Sequence, residues 1–176
     1  MSDSESICIR PEEHRDRAAI RRINESAFGG AEEANLVDAL RAKVSPFLSL
    51  VSTQEIDSNP IGHILFTPVT VRGSEAGTPA LALGPLAVLP EYQSRGHGSA
   101  LVRAGLKACR EAGYYIIFVV GHPAYYPRFG FTPARALGFE CEFPVSDEVF
   151  MVTELETGAL EGVRGTVYYH EVFRRG

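Results

Sequence analysis

The chain has no tryptophan and only two methionines and three cysteines in 176 residues. Cys8, Cys109 and Cys141 are odd in number and form no C-x-x-C pair, so neither a disulfide framework nor a thiolate metal site is expected. The histidines are scattered as well, and no metal is expected. No apolar run approaches the roughly 20 residues that a membrane helix requires, so no membrane association is expected. Positive charge is in deficit: 17 Lys and Arg stand against 22 Asp and Glu, a formal net charge of −5. That balance disfavours binding to a phosphate backbone, and nucleic acid is not an expected partner. No apolar leader follows Met1, Ser2, Asp3, Ser4 and Glu5, and with unpaired cysteines this points to the cytoplasm. No repeat, linker or low-complexity stretch divides the sequence. Residues 1–176 are read as one domain, a length that buries about 70% of the surface of the unfolded chain.

What is present alternates. Residues 7–10 read as a strand, and residues 16–28 carry Ala19, Ile20, Ile23 and Ala27 at helical spacing before a Gly29-Gly30 stop. A second helix is expected over 32–42, with Leu36, Val37 and Leu40 on one face. Aliphatic runs at 47–55 and 61–71 flank the turn Asp57-Ser58-Asn59-Pro60 and form a hairpin, followed by a loop at 73–79. Residues 81–89 read as a strand. A helix follows, with Leu101, Val102, Gly105, Leu106 and Cys109 on one face and Arg103, Lys107 and Arg110 on the other. Gly113 ends it. Residues 115–120 are continuously apolar, which fits a strand covered on both faces and, across a helical connection, parallel to the one before. Residues 149–155 and 166–173 are expected as closing strands. The fold class is α/β (α+β).

Between the strand at 81–89 and the next helix stands Gln93-Ser94-Arg95-Gly96-His97-Gly98-Ser99. The first turn of a helix has backbone N–H groups without intrahelical partners and a partial positive charge, and glycines let the chain close on an anion. A Walker loop requires G-x-x-x-x-G-K-[ST] and a dinucleotide fold G-x-G-x-x-G, whereas Ser99, Ala100 and Leu101 follow Gly98 here. What remains is [QR]-x-x-G-x-[GA]. The alternative is a tight strand-to-helix connection that holds nothing.

In the context Leu86-Ala87-Val88-Leu89-Pro90-Glu91-Tyr92 this pattern resembles the acyl-CoA binding motif of the GNAT superfamily of N-acetyltransferases. A second block reinforces it, with Ile116 to Val120 followed by Gly121-His122-Pro123-Ala124-Tyr125-Tyr126-Pro127-Arg128-Phe129-Gly130-Phe131, which looks like the superfamily's strand, short helix and Y-x-x-x-G-F ending. Its wording is similar to a branch of small bacterial acetyltransferases, the YhbS-like proteins. The likeness is strongest over 61–131. It implies an acyl-CoA N-acyltransferase fold, a mixed central sheet of about seven strands with helices on both faces. It also implies acetyl-CoA as cosubstrate, a small-molecule or peptide amine as acceptor, and leaves a homodimer open.

Carried over residue by residue, the resemblance gives Leu86, Ala87 and Val88 backbone groups that face the pantetheine arm. Arg95, Gly96, His97, Gly98 and Ser99 supply N–H groups to the pyrophosphate, while Gln93 and Ser94 shape the mouth. His97 is expected to act through its backbone alone. Tyr126 holds the tyrosine position of Y-x-x-x-G-F and is the expected proton donor to the departing thiolate, with Tyr125 as packing. Many relatives carry a glutamate on the strand before the glycine turn, but here that stretch is Ala80-Leu81-Ala82-Leu83-Gly84-Pro85-Leu86. The general base is therefore open among water, His122, Glu33 and His63. The missing carboxylate also leaves open an acyl-CoA sensor that does not turn its ligand over. A third reading, acetylation of aminoacyl-tRNA, is disfavoured by the acidic balance.

Overall fold

A computed structural model describes residues 6–55, 58–73 and 78–174. Asp57 of the expected turn and residues 74–77 of the expected loop lie outside the described residues. The strands are β1 (Cys8–Pro11), β2 (Leu48–Thr53), β3 (Gly62–Arg72), β4 (Ala80–Val88), β5 (Ile116–Val120), β6 (Thr132–Pro133), β7 (Phe139–Cys141), β8 (Phe150–Glu154) and β9 (Gly165–Tyr168). The helices are α1 (Arg17–Phe28), α2 (Glu32–Lys43) and α3 (His97–Glu111), with short 3-10 turns between. The sheet runs β1-β2-β3-β4-β5-β8-β6, and β9 adds to β3 and to β7. The seven-strand path is the mixed sheet that the resemblance implies, and among the described residues β7 and β9 bring the sheet to nine strands.

Alternation along β3 fixes where the helices pack. Ile64 and Phe66 belong to the cluster containing Leu101, Val102 and Cys109 of α3. Leu65 faces the other way, with Ile20 of α1 and Val37 and Leu40 of α2. Helices therefore cover both faces. Gly105 sits where α3 crosses β3, and a Cβ there would strike the Phe66 ring. Cys109 is fully buried, and burial pushes its thiol up to about 12, so it behaves as a small hydrophobe. Among the described residues no helix is long and apolar enough to cross a membrane.

The expected closing strand at 166–173 is shorter than the pattern implied. β9 pairs with Thr70–Arg72 of β3, while β2 and β4 take β3 further upstream. After Tyr168 the chain leaves the ladder and turns into a 3-10 segment at Glu171–Arg174. β6 and β7 are two and three residues long, too short to leave a periodic signal.

Candidate active site

β4 and β5 are parallel neighbours only where Leu81, Ala82 and Leu83 face Ile117, Phe118 and Val119. Beyond Leu83 they separate. Gly84 and Pro85 come next, and Pro85 has no N–H to give to a ladder. β4 stays bonded to β3 through Leu86, Ala87 and Val88, opposite Ile64, His63 and Gly62. Among the described residues no strand lies beside its other edge over residues 84–88, so alternate backbone N–H and C=O groups face a gap.

The gap leads to the glycine turn. Ser94 at φ 63° and Gly96 at φ 95° both take left-handed conformations there. Gly96 is the N-cap of α3 and has no side chain with which to cap it, so the helix opens at this turn without a cap from its own N-cap residue. Gly98 is a glycine for a different reason. It lies inside the helix, and a Cβ built on it would stand 3.0 Å from the Tyr125 hydroxyl. Gln93 donates from Nε2 to the Val88 carbonyl at 3.0 Å, tying the end of β4 to the turn.

A cavity of about 550 Å³ follows this groove, lined by Leu86, Val88, Gln93, Ser94, Gly96, Gly98 and Ser99. Neither Arg95 nor His97 lines it with a side chain. The Arg95 guanidinium lies 5.6 Å from the Tyr92 ring centre. His97 is buried, with Nδ1 3.2 Å from the Ser52 hydroxyl, so its imidazole belongs to the packing of α3 on β2. Arg128, which the sequence reading passed over, lines the same cavity, fixed by its Nε donating to the Tyr125 carbonyl at 2.9 Å. A basic residue inside Y-x-x-x-G-F, close to an anion turn, was the available signal.

A second cavity, of about 630 Å³, meets the first at Leu86 and Tyr125, which line both. It holds Tyr126, Glu33 and His122 together on its wall. Tyr126 opens the 3-10 turn Tyr126–Phe129 and is 8% exposed. Burial pushes its phenol above the ordinary value, with the neighbouring Tyr125 adding to the shift. Gly121 is what admits the ring, since a Cβ there would collide with Tyr126.

His63 stands elsewhere. It is fully buried, with Nδ1 3.2 Å from Asn24 Nδ2 and Nε2 2.9 Å from the Ser49 hydroxyl. Ser49 donates to Glu12, which pairs with Arg41 through two hydrogen bonds at 2.8 and 2.9 Å. Asn24 donates to the Ile20 carbonyl as well, which makes Nδ1 the accepting nitrogen and Nε2 the protonated one. Burial pushes this imidazole down to about 4. His63 is thus a satisfied core group and lines neither cavity. A larger cavity, of about 820 Å³ along β6 and β8, includes none of the expected site residues.

The acetyltransferase (GNAT) family pattern matches residues 17–131, and the curated relatives of high identity bear the same family's activity in their names. The chain belongs to the GNAT acetyltransferase family. It is 37% identical over 169 residues to the uncharacterized N-acetyltransferase YhbS of Escherichia coli, covering 96% of this chain and 99% of that one. It is 42% identical over 137 residues to the uncharacterized N-acetyltransferase YjhQ of the same organism, covering 76% and 74% of the two chains. Among solved structures, the E. coli YhbS complex with CoA superposes with a TM-score of 0.90 at 34% identity, over 99% of this chain and 96% of that chain. A GNAT acetyltransferase of Brucella melitensis in complex with acetyl-CoA gives 0.76 at 35% identity, over 96% and 99%. Members of this family thus hold CoA or its acetyl form on the same architecture.

Proposed function

We propose that the chain, as one cytoplasmic domain, moves the acetyl group of acetyl-CoA directly to a primary amine of a small molecule or peptide. The observation that carries this reading is the continuity of three features: the gap beside residues 84–88, the glycine turn that opens α3, and two cavities joined at Leu86 and Tyr125. The gap suits an extended arm that bonds to a strand edge, through backbone groups of Leu86, Ala87 and Val88. The N–H groups of Arg95, Gly96, His97, Gly98 and Ser99 suit a pyrophosphate, with the Arg128 cation beside them and Gln93 and Ser94 setting the turn.

Acetyl-CoA supplies an acyl carbon activated as a thioester. As the new C–N bond forms and the C–S bond breaks, the amine must lose one proton and the sulfur must gain one. Tyr126 lines the acceptor side and donates its hydroxyl hydrogen bond toward the sulfur. The Tyr125 hydroxyl lies over Gly98 at the anion turn and serves binding instead. β4 carries no carboxylate, which favours the non-catalytic sensor as second reading, but Glu33 and His122 on the acceptor cavity offer proton acceptors from elsewhere.

Acetyl-CoA at about 100 times its Kd adds about 2.7 kcal/mol to folding stability, which for a chain of this size raises Tm by about 5–10 °C. ATP at matched concentration should raise it far less. Gly98→Val should abolish the shift, because its branched Cβ meets Tyr125 and projects into the turn. Equal stabilisation by ATP, or an unchanged shift in Gly98→Val, overturns the assignment.

A further inference from the structure

The acceptor cavity of about 630 Å³ is chemically one-sided. Leu36, Val120, Phe143, Val145 and Phe173 make apolar walls, and no lysine or arginine is among its described lining residues. Glu33 is the sole carboxylate among them. Of the four large hydrophobic side chains exposed among the described residues, Phe28 at 45% and Val120 at 41% both stand at this cavity. Apolar side chains left in water and gathered at one cleft mark a surface that something apolar covers. A further cavity of about 550 Å³ shares Glu33, Leu36 and Phe173 but turns polar along α2, with Glu32, Asn35 and Lys43 on its wall, so an apolar body is held within the first cavity.

We propose that the acceptor is an alkyl- or arylalkylamine: a primary ammonium on an elongated apolar body with no anionic substituent. This rests on the acetyl-transfer reading above and narrows its substrate. The Glu33 carboxylate attracts the ammonium and repels a carboxylate or phosphate on the same molecule. The walls accept methylenes and rings, whereas the hydroxyls around an amino sugar outnumber the polar groups at Glu33, His122 and the tyrosines, and those facing Leu36, Val120, Phe143, Val145 and Phe173 would lose water without partners. Phe28 and Val120 are then the lips that close on the far end of the body.

Straight-chain amines provide a ruler, because they differ in length while sharing nearly one basicity. Each methylene taken from water should raise kcat/KM by about fourfold until the cleft is filled. The full chain would be assayed for thiol release at saturating acetyl-CoA with propylamine, butylamine, pentylamine, hexylamine, 2-phenylethylamine, glucosamine, glutamate and spermidine. The expected result is a rising ladder from propylamine to hexylamine, with 2-phenylethylamine near its top. Glucosamine and glutamate should lie at least about a hundredfold below hexylamine. Phe28→Ser, a change at an exposed position, should lower kcat/KM about fivefold for hexylamine through KM and by less than about twofold for propylamine. Glu33→Gln should lower both alike. A flat ladder, or a preference for glucosamine, glutamate or spermidine, overturns the proposal. So does a lack of turnover with every amine while CoA still raises Tm, whereas a lack of any Tm shift with CoA overturns the acetyl-transfer reading itself.

Discussion

Replacing Tyr126 by phenylalanine removes one hydroxyl from the cavity wall and keeps the ring, which packs edge-on against Tyr125 at 5.1 Å and Phe131 at 5.6 Å. Burial pushes the phenol up from its ordinary value of 10.0, so it holds its proton throughout the physiological range. An ordinary thiol titrates near 8.5, so complete transfer from this phenol to a free thiolate runs uphill. The hydroxyl acts as a hydrogen-bond donor while negative charge builds on sulfur, and solvent completes the proton balance. A hydrogen bond to a charged group contributes about 1.5–3 kcal/mol, equivalent to about 10- to 100-fold in rate. That range lies below full general-acid effects, roughly 10²–10⁴, and reaches only their lower bound. Tyr126→Phe should therefore lower kcat by about 10- to 100-fold with the KM for acetyl-CoA nearly unchanged, read from thiol release under conditions where chemistry limits turnover. Because the phenol stays protonated, wild-type kcat should show no alkaline fall below about pH 10 from loss of this donor. Tyr125→Phe should weaken acetyl-CoA binding instead, since its hydroxyl lies over Gly98. An unchanged kcat in Tyr126→Phe beside a large fall in Tyr125→Phe refutes the assignment.

Two further outcomes follow from the buried polar groups. His63 binds its proton in the unfolded chain near 6.5 but in the folded chain only at about 4, so stability should fall as pH drops through that window, by about 3 kcal/mol from this group. Urea midpoints at pH 7 and 4.5 should show that His63→Gln flattens the fall. Glu12 keeps its own share of the acid sensitivity, because hydrogen bonds from Arg41 and Ser49 outweigh the upward push of burial and hold it low. An unchanged pH slope in His63→Gln would place the imidazole in contact with water. Tyr169 presents a buried hydroxyl with no protein partner among the described residues. Tyr169→Phe should then leave Tm unchanged or raise it, because a buried hydroxyl without a partner costs about 1–3 kcal/mol. A Tm fall of more than about 4 °C would reveal a bound water in that position.

The longer strands and helices and the glycine turn were legible in the sequence because each rests on local physics, whereas Tyr126 was singled out by the resemblance of its Y-x-x-x-G-F block. Hydrophobic period sets helix or strand over a few residues, and Gly96 is needed where a φ of 95° starts a helix. What faces the acceptor was not legible. Phe28 and Glu33 come from α1 and α2, Val120 and His122 from the end of β5, and Phe143 and Phe173 from segments beyond it, gathered at one cavity by the register of the sheet. The same apposition set the titratable residues apart, burying His63 in a hydrogen-bonded core and placing Glu33 and His122 on the cavity wall. It also gave Gly98 its reason, since only folding brings the Tyr125 hydroxyl over the first turn of α3. Sequence period determines which face of an element is apolar, but contact between residues a hundred positions apart is settled by which strands pair and where a pair such as β4 and β5 stops.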